Sequence, residues 1–365
     1  DQMPWITSML MVFAVGAGTV CEFVLIGKYR VLLTADQKVR IVLWVQGGAT
    51  LVGTIFAVIL VQGGVGVVGM QVGISATAIA RVLVLRTFVR REYPDVDFRH
   101  PQPDYAAIES RWSALIHQVS SVVIFNSPVV ILAFMVPLDQ ISVYSVYAMI
   151  FSAVGSAASI ASSGLLAGFG ELGSSDRENL ARVANVFEHG FFVFTAWVYV
   201  CTALLVLPFM SVYSRNFVGV NYLVPEVAGL FVLIGVANCL RVPANVLVNA
   251  LGLYRETKWQ AILEAVVNVV SSLLFVIWFG MPGVLMGAVC SYAYRTVALI
   301  RFGAVVVLRR TVRRTALRVL LNVTWGTLLV MILGGWVPSV TGGYWDWFGL
   351  ALGVGVIAAA VAGVV

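Results

Sequence analysis

The chain has 365 residues, 60% of them hydrophobic and 11% charged, against roughly 25% charged in an ordinary soluble domain. A soluble fold of this length has too little interior for so much apolar surface. That excludes a soluble enzyme, a disordered chain and a secreted disulfide scaffold, and it leaves an all-α polytopic membrane protein. The net charge of +6 invites a nucleic-acid partner, a reading that the positions of the charges refute below.

In chain order, eleven stretches reach the roughly 20 apolar residues a spanning helix needs, at about 4–27, 38–61, 64–87, 112–136, 140–169, 185–210, 224–250, 257–280, 283–308, 315–337 and 346–365. Turn chemistry separates them at Gly63-Gly64, Pro137, Gly173 to Asp176, Gly280-Met281-Pro282-Gly283 and Gly342-Gly343. Barrel strands are excluded, because the runs lack a two-residue alternation and exceed about 10 residues. Cys21, Cys201, Cys239 and Cys290 each sit in an apolar run without a CxxC pair, and read as small hydrophobes. No spacing of histidines and cysteines suits a metal. The chain begins with Asp1 and ends in the apolar run Gly353 to Val365, which suggests a piece of a longer protein.

Nineteen of the 23 Lys and Arg fall in alternate gaps: Lys28 to Arg40, Arg86 to Arg111, Arg177 and Arg182, Arg255 and Lys258, and Arg301 to Arg318. The opposite gaps hold only Arg215, and Arg81, Arg241 and Arg295 lie inside spans. Cytoplasmic loops retain positive charge, so residue 1 is expected outside and residue 365 inside a cytoplasmic membrane. The basic excess is topological, and no nucleic-acid partner is expected.

The longest gap, Phe88 to Arg111, carries Arg90-Arg91-Glu92-Tyr93-Pro94-Asp95 and Pro101-Gln102-Pro103-Asp104 and reads as a cytoplasmic linker. The expected division is a partial first lobe of three spans (1–90), the linker (91–111), a second lobe of six spans (112–310) and two additional spans (311–365). An internal repeat supports it. Gly27-Lys28-Tyr29-Arg30 closes the first span and Gly252-Leu253-Tyr254-Arg255 the seventh, and Gly69, Gly73 and Arg81 match Gly283, Gly287 and Arg295 in spacing. Chance matching in a glycine-rich chain is the alternative.

Leu240-Arg241-Val242-Pro243, Gly252 to Lys258, Glu264-Ala265-Val266-Val267-Asn268 and Gly280 to Gly287 resemble the polysaccharide, or Wzx-type O-antigen, flippases of the multidrug/oligosaccharidyl-lipid/polysaccharide exporter superfamily. Val143 to Tyr147, Pro208-Phe209 with Tyr213, and Asn221 to Pro225 extend the resemblance over most of 105–310. It implies two bundles of six helices, usually followed by two more, around a central cavity. The eleven spans would be the fourth to fourteenth. It also implies alternating access for a polyprenyl-diphosphate-linked oligosaccharide, with a polysaccharide polymerase and glycosyltransferases as partners. A diphosphate and sugars cannot cross hydrocarbon unaided.

Ionisable groups inside spans are costly and are functional candidates. Arg241, two residues before the ladder-breaking Pro243, suits a diphosphate because its fork donates two bonds. A structural pairing with a carboxylate or with freed carbonyls fits equally well. Arg295, Asn126, Tyr144 and Tyr147 join it as substrate candidates. Ser113, His117, Ser120, Ser121 and Ser127 share the fourth span with Asn126, and Ser152, Ser156 and Ser159 share the fifth with the tyrosines. Such stripes line a sugar passage or allow close packing. Glu264 and Asn268 lie four apart on one face and suit Na⁺ or H⁺ coupling, or Glu264 pairs structurally with Arg295 or Arg241. The resemblance adds that Asn126 stands where many relatives have an acidic residue, which puts a strong cation site in doubt. Glu188-His189 is a proton candidate or an interfacial pair. Glu22 is expected to pair with Lys28 or face the interface. Trp336, Tyr344, Trp345 and Trp347 read as an aromatic belt.

No cofactor, metal site or enzymatic constellation is expected. A polymerase or ligase needs a sizeable outer loop, and only Met210 to Leu223 approaches one. A cation-coupled multidrug exporter is the runner-up. It would carry more acidic cavity residues, and Arg241 argues against it.

Overall fold

A computed structural model describes residues 5–94, 111–217, 219–338 and 342–362, and the statements below concern these. Eleven helical stretches are long and apolar enough to cross a membrane, from Met9–Ala35 to Tyr344–Ala362; the chain is a multi-pass membrane protein. Two compact units divide it, Asp1–Asp104 and Tyr105–Val365. Arg99 and the Pro101-Gln102-Pro103-Asp104 run of the expected linker lie outside the described residues.

The first unit holds α1 (Trp5–Cys21), a π-helical turn (Glu22–Ile26), α2 (Gly27–Ala35), α3 (Val39–Gln62) and α4 (Val67–Glu92). Ile26, Tyr29, Leu33, Val42, Leu85 and Val89 form its small core. α4 runs through Arg90-Arg91-Glu92, which the sequence had placed outside the helix. Two arginines in a last turn complement the carbonyl end of the helix dipole. Glu22 is partly exposed, and its carboxylate pairs with Arg81, at 3.0 and 3.3 Å, a partner the sequence reading does not name. Where α2 turns into α3, Lys38 Nζ reaches Glu92 at 2.8 Å and Asp36 at 3.0 Å. The Tyr93 hydroxyl donates to Asp36. Tyr93 first and Lys38 second hold the Asp36 carboxyl below its ordinary range, and hydrogen bonds to Glu92 and Asp36 raise the Lys38 ammonium.

The second unit begins with α5 (Arg111–Met135), α6 (Leu138–Ser163), α7 (Leu166–Ser175), α8 (Arg177–Tyr213) and α9 (Pro225–Leu240). It continues with α10 (Val242–Ala250), α11 (Tyr254–Phe279), α12 (Met281–Phe302), a π-helical turn (Gly303–Val307), α13 (Val312–Gly334) and α14 (Tyr344–Ala362). Asp176 caps α8 by accepting from the amides of Glu178 and Asn179, which satisfies two orphan donors. Gly280, at φ +60°, turns α11 directly into α12, a conformation that a Cβ would strain.

α12 then packs tightly on α11. A Cβ at Gly283 would land on the Phe275 carbonyl, and one at Gly287 on the backbone of Ser272. In the first unit Gly73 meets Phe56 and Leu60 of α3. At the matched positions Gly73 and Gly287 the glycine lets its helix approach the preceding one, as small residues do in lipid, whereas Gly69, the match of Gly283, meets only Val65. α14 docks on α8 through Trp197 Nε1 to the Gly355 carbonyl and Trp347 Nε1 to the Leu205 carbonyl, at 3.0 and 3.2 Å. Trp347 is therefore a packing residue, whereas Trp336, Tyr344 and Trp345 are exposed.

Candidate functional site

A polar hollow of the second unit, about 750 Å³, is walled by α5, α6, α8, α9, α11 and α12. Sequence accounts for its shape. Pro128 inside α5 removes one helical hydrogen bond. Pro243, at the second position of α10, leaves Arg241 in the break between α9 and α10. A helix end frees backbone groups that would otherwise bond within the helix.

Arg241 lies on the cavity wall. Its guanidinium donates to Asn238 Oδ1, at 2.8 and 3.2 Å, and to Glu264 Oε1. It stands 4.7 Å from the centroid of the Tyr292 ring, a cation–π distance. Glu264, buried but lining the cavity, carries Arg295 on its other oxygen at 3.5 Å. One carboxylate between two guanidinium groups gives the cluster of Arg241, Glu264 and the Arg295 behind them a net charge of +1. Removing water makes an unbalanced charge costly, so the site favours an anion over a cation.

Arg295 does not reach the cavity. It is buried among the Thr257 carbonyl, Gln260 and His117, at 3.3 to 3.5 Å, and serves as a packing counter-ion. His117 also meets Thr257 Oγ1 and the Tyr254 carbonyl, a structural histidine. Asn268 points elsewhere than Glu264. Its oxygen accepts from Ser127 and its amide donates to Ser291, both at 2.9 Å, so its acceptor is already engaged. Four-residue spacing gave the shared helix face, but partners on α5 and α12 decided the contacts.

Asn126 lines the cavity and is exposed, its amide donating to the Val122 carbonyl at 2.8 Å. Tyr144 lines it too, as do Ser121, Ser152, Ser156 and Ser159. Tyr147 does not: its hydroxyl donates to the Tyr222 carbonyl at 2.9 Å, tying α6 to the segment before α9. Glu188 and His189 part company. His189 is exposed, and Glu188 is buried against Arg310, Arg318 and Thr315. That cluster, joined by Asn185, docks α13 on α8 away from the cavity. Asn238, Tyr199 and Tyr292 are wall residues that sequence reading missed. Asn238 was within reach, because it lies three residues before Arg241 on the same face.

Behind α9 lies a second hollow of about 380 Å³, between α8, α9 and α13, with an almost wholly apolar lining that includes Val200, Leu207, Val232, Val236 and Val330. Among the described residues no group of three or more His, Cys, Asp or Glu could hold a metal.

No family profile matches the chain, and no curated protein does. Among solved structures it is similar to a lipid II flippase, MurJ, in an inward closed conformation, with a TM-score of 0.56 at 12% identity. The match covers 98% of this chain and 83% of that one. The chain thus has a MurJ-like all-helical membrane fold.

Proposed function

We propose that the protein is a flippase for a polyprenyl-diphosphate-linked oligosaccharide, working by alternating access in surface polysaccharide synthesis. The observation that carries this is the pairing of two unlike hollows: a polar cavity with an excess positive charge at Arg241, and an apolar groove behind the same helix. An amphipathic anion with a sugar head and a hydrocarbon tail needs both. Arg241 would take the diphosphate by a bidentate bond. Tyr144, Asn126 and the α6 serines would meet hydroxyls, and Tyr292 would offer an aromatic face. The similarity to a lipid II flippase supports a lipid-linked substrate; the O-antigen type rests on the sequence resemblance.

The same reading puts the protein in the cytoplasmic membrane with residue 1 outside and residue 365 inside, beside a polymerase and glycosyltransferases. Coupling to H⁺ or Na⁺ would fall to Glu264, the cavity's only acidic wall residue among those described, and not to Glu188. A multidrug exporter of cations is disfavoured by the net +1 of the Arg241, Glu264 and Arg295 cluster. The test is to delete the full-length gene and to measure lipids by mass spectrometry. Accumulated polyprenyl-diphosphate oligosaccharide with loss of surface polymer is expected. Unchanged lipid carriers and polymer, in a strain without a redundant flippase, would sink the reading.

A further inference from the structure

The polar cavity and the apolar groove lie on two faces of α9. Phe231, Ile234, Gly235 and Asn238 face the first; Val232, Leu233 and Val236 face the second. One residue lines both, Tyr199 of α8. Its ring is 3% exposed and lies against α9 at Gly235, where a Cβ would overlap it. One turn along, the buried Cys239 directs its thiol to Tyr199 Oη at 3.7 Å. Tyr199 is thus the residue common to both linings, its ring seated against Gly235 of α9.

We infer that Tyr199 is the doorway between the two hollows, the point where the junction of a charged head and an apolar tail crosses from cavity to groove. This rests on the flippase reading. A lipid-linked diphosphate changes polarity at a single linkage. With the head held at Arg241, the tail must leave the cavity without entering a polar wall. A tyrosine meets both demands, offering a ring face to the alkyl chain and a hydroxyl to the head. Moving it gives up its packing against Gly235 and a weak thiol hydrogen bond, with no buried ion pair to break. Gly235 supplies the room in which the ring sits. Tyr199 thus acts as a positioning residue that sets how far the head enters.

Two measurements test this on the full chain. The first compares binding of a polyprenyl-diphosphate oligosaccharide with binding of the same diphospho-oligosaccharide without its tail. Tyr199→Trp, which enlarges the ring, should weaken the tailed ligand tenfold or more and leave the tail-less one within twofold. Equal losses for both overturn the doorway. If the wild type binds neither, the flippase reading fails, and the second measurement decides the doorway alone.

That second measurement uses a chain with Cys21, Cys201 and Cys290 changed to alanine. A polar thiol reagent should label Cys239 at least tenfold faster in Tyr199→Ala. Tyr199→Phe should stay at the starting rate. So should Phe192→Ala, a similar truncation on the groove wall at a residue that does not line the polar cavity. Equal rates in Tyr199→Ala and the parent, or equal acceleration by Phe192→Ala, contradict the proposal.

Discussion

Arg241 and Arg295 close on the two oxygens of one carboxylate, Glu264, from opposite sides: Arg241 from the cavity wall with 18% of its side chain exposed, Arg295 from the packed interior with 4%. One arginine is thus available to a ligand and the other holds the acid in place. Arg241→Ala should weaken binding of a diphosphate-bearing headgroup by about 2–4 kcal/mol, about thirtyfold or more in Kd. Arg241→Lys should fall between, because it keeps the charge and loses the fork. Calorimetry in nanodiscs reads this directly, and an unchanged affinity in Arg241→Ala removes Arg241 from the site.

Glu264→Gln should move two quantities in opposite directions. Two guanidinium groups lose their counter-ion, so stability should drop by about 3–5 kcal/mol, visible as a lower thermal midpoint. Arg241 is released, so anion affinity should rise. Arg295→Met should do the reverse to affinity: Glu264 then neutralises Arg241, and binding weakens although Arg295 does not touch the cavity. An effect of Arg295→Met on stability alone would show that the net charge of this cluster does not govern binding.

Gly287→Ala and Gly283→Ala each place a methyl group on α11 backbone. Each should cost about 1–3 kcal/mol, as overpacking does. Gly190→Ala is the contrast. It sits inside α8 with open space around its Cβ position, and should be neutral or stabilise by about 0.5–1 kcal/mol. Thermal unfolding in detergent ranks the three, and an equal loss at Gly190 would dismiss the close-approach account.

The fold was more legible in the sequence than the site. Hydropathy located eleven spans, and Pro243 marked the break at Arg241. The 140–169 span was less well read, because α6 stops at Ser163 and α7 restarts after Gly164 inside one continuous apolar run. Which face of a span looks at lipid and which at protein was not readable, since both surroundings are apolar. Tyr144 and Tyr147, three apart on α6, illustrate this: one lines the cavity and the other is spent on Tyr222. Ion-pair partners were hidden by distance along the chain. Glu188 meets Arg310 across 122 positions and Glu22 meets Arg81 across 59, and no local pattern links them.

Glu188 predicts a separable defect. Its carboxylate gathers Arg310, Arg318 and Thr315, so Glu188→Gln should loosen α13 from α8. Faster trypsin cleavage at Arg313 or Arg314, with headgroup binding unchanged, is the expected pair of results. Loss of binding with unchanged cleavage would return Glu188 to the list of transport residues.

The Asp36, Lys38 and Tyr93 cluster should be silent near neutrality. Asp36 titrates below its ordinary 3.8, so its contribution is complete above that value and is lost as pH falls through the lowered one. Lys38 titrates above its ordinary 10.5, so its contribution is complete below that value and is lost as pH rises through the raised one. Lys38→Met should therefore change stability equally at pH 5 and pH 9, measured by thermal unfolding. A difference between the two would mean that another group controls the turn.

The central claim is that a lipid-linked diphosphate is carried on the Arg241 wall. The most direct measurement is flipping itself, in proteoliposomes containing the full-length protein and a polyprenyl-diphosphate oligosaccharide, with the sugar exposed on the outer leaflet assayed over time. Transport by the wild type, at least tenfold slower in Arg241→Ala and partly restored in Arg241→Lys, is the predicted result. Transport at the wild-type rate in a well-folded Arg241→Ala protein would contradict it.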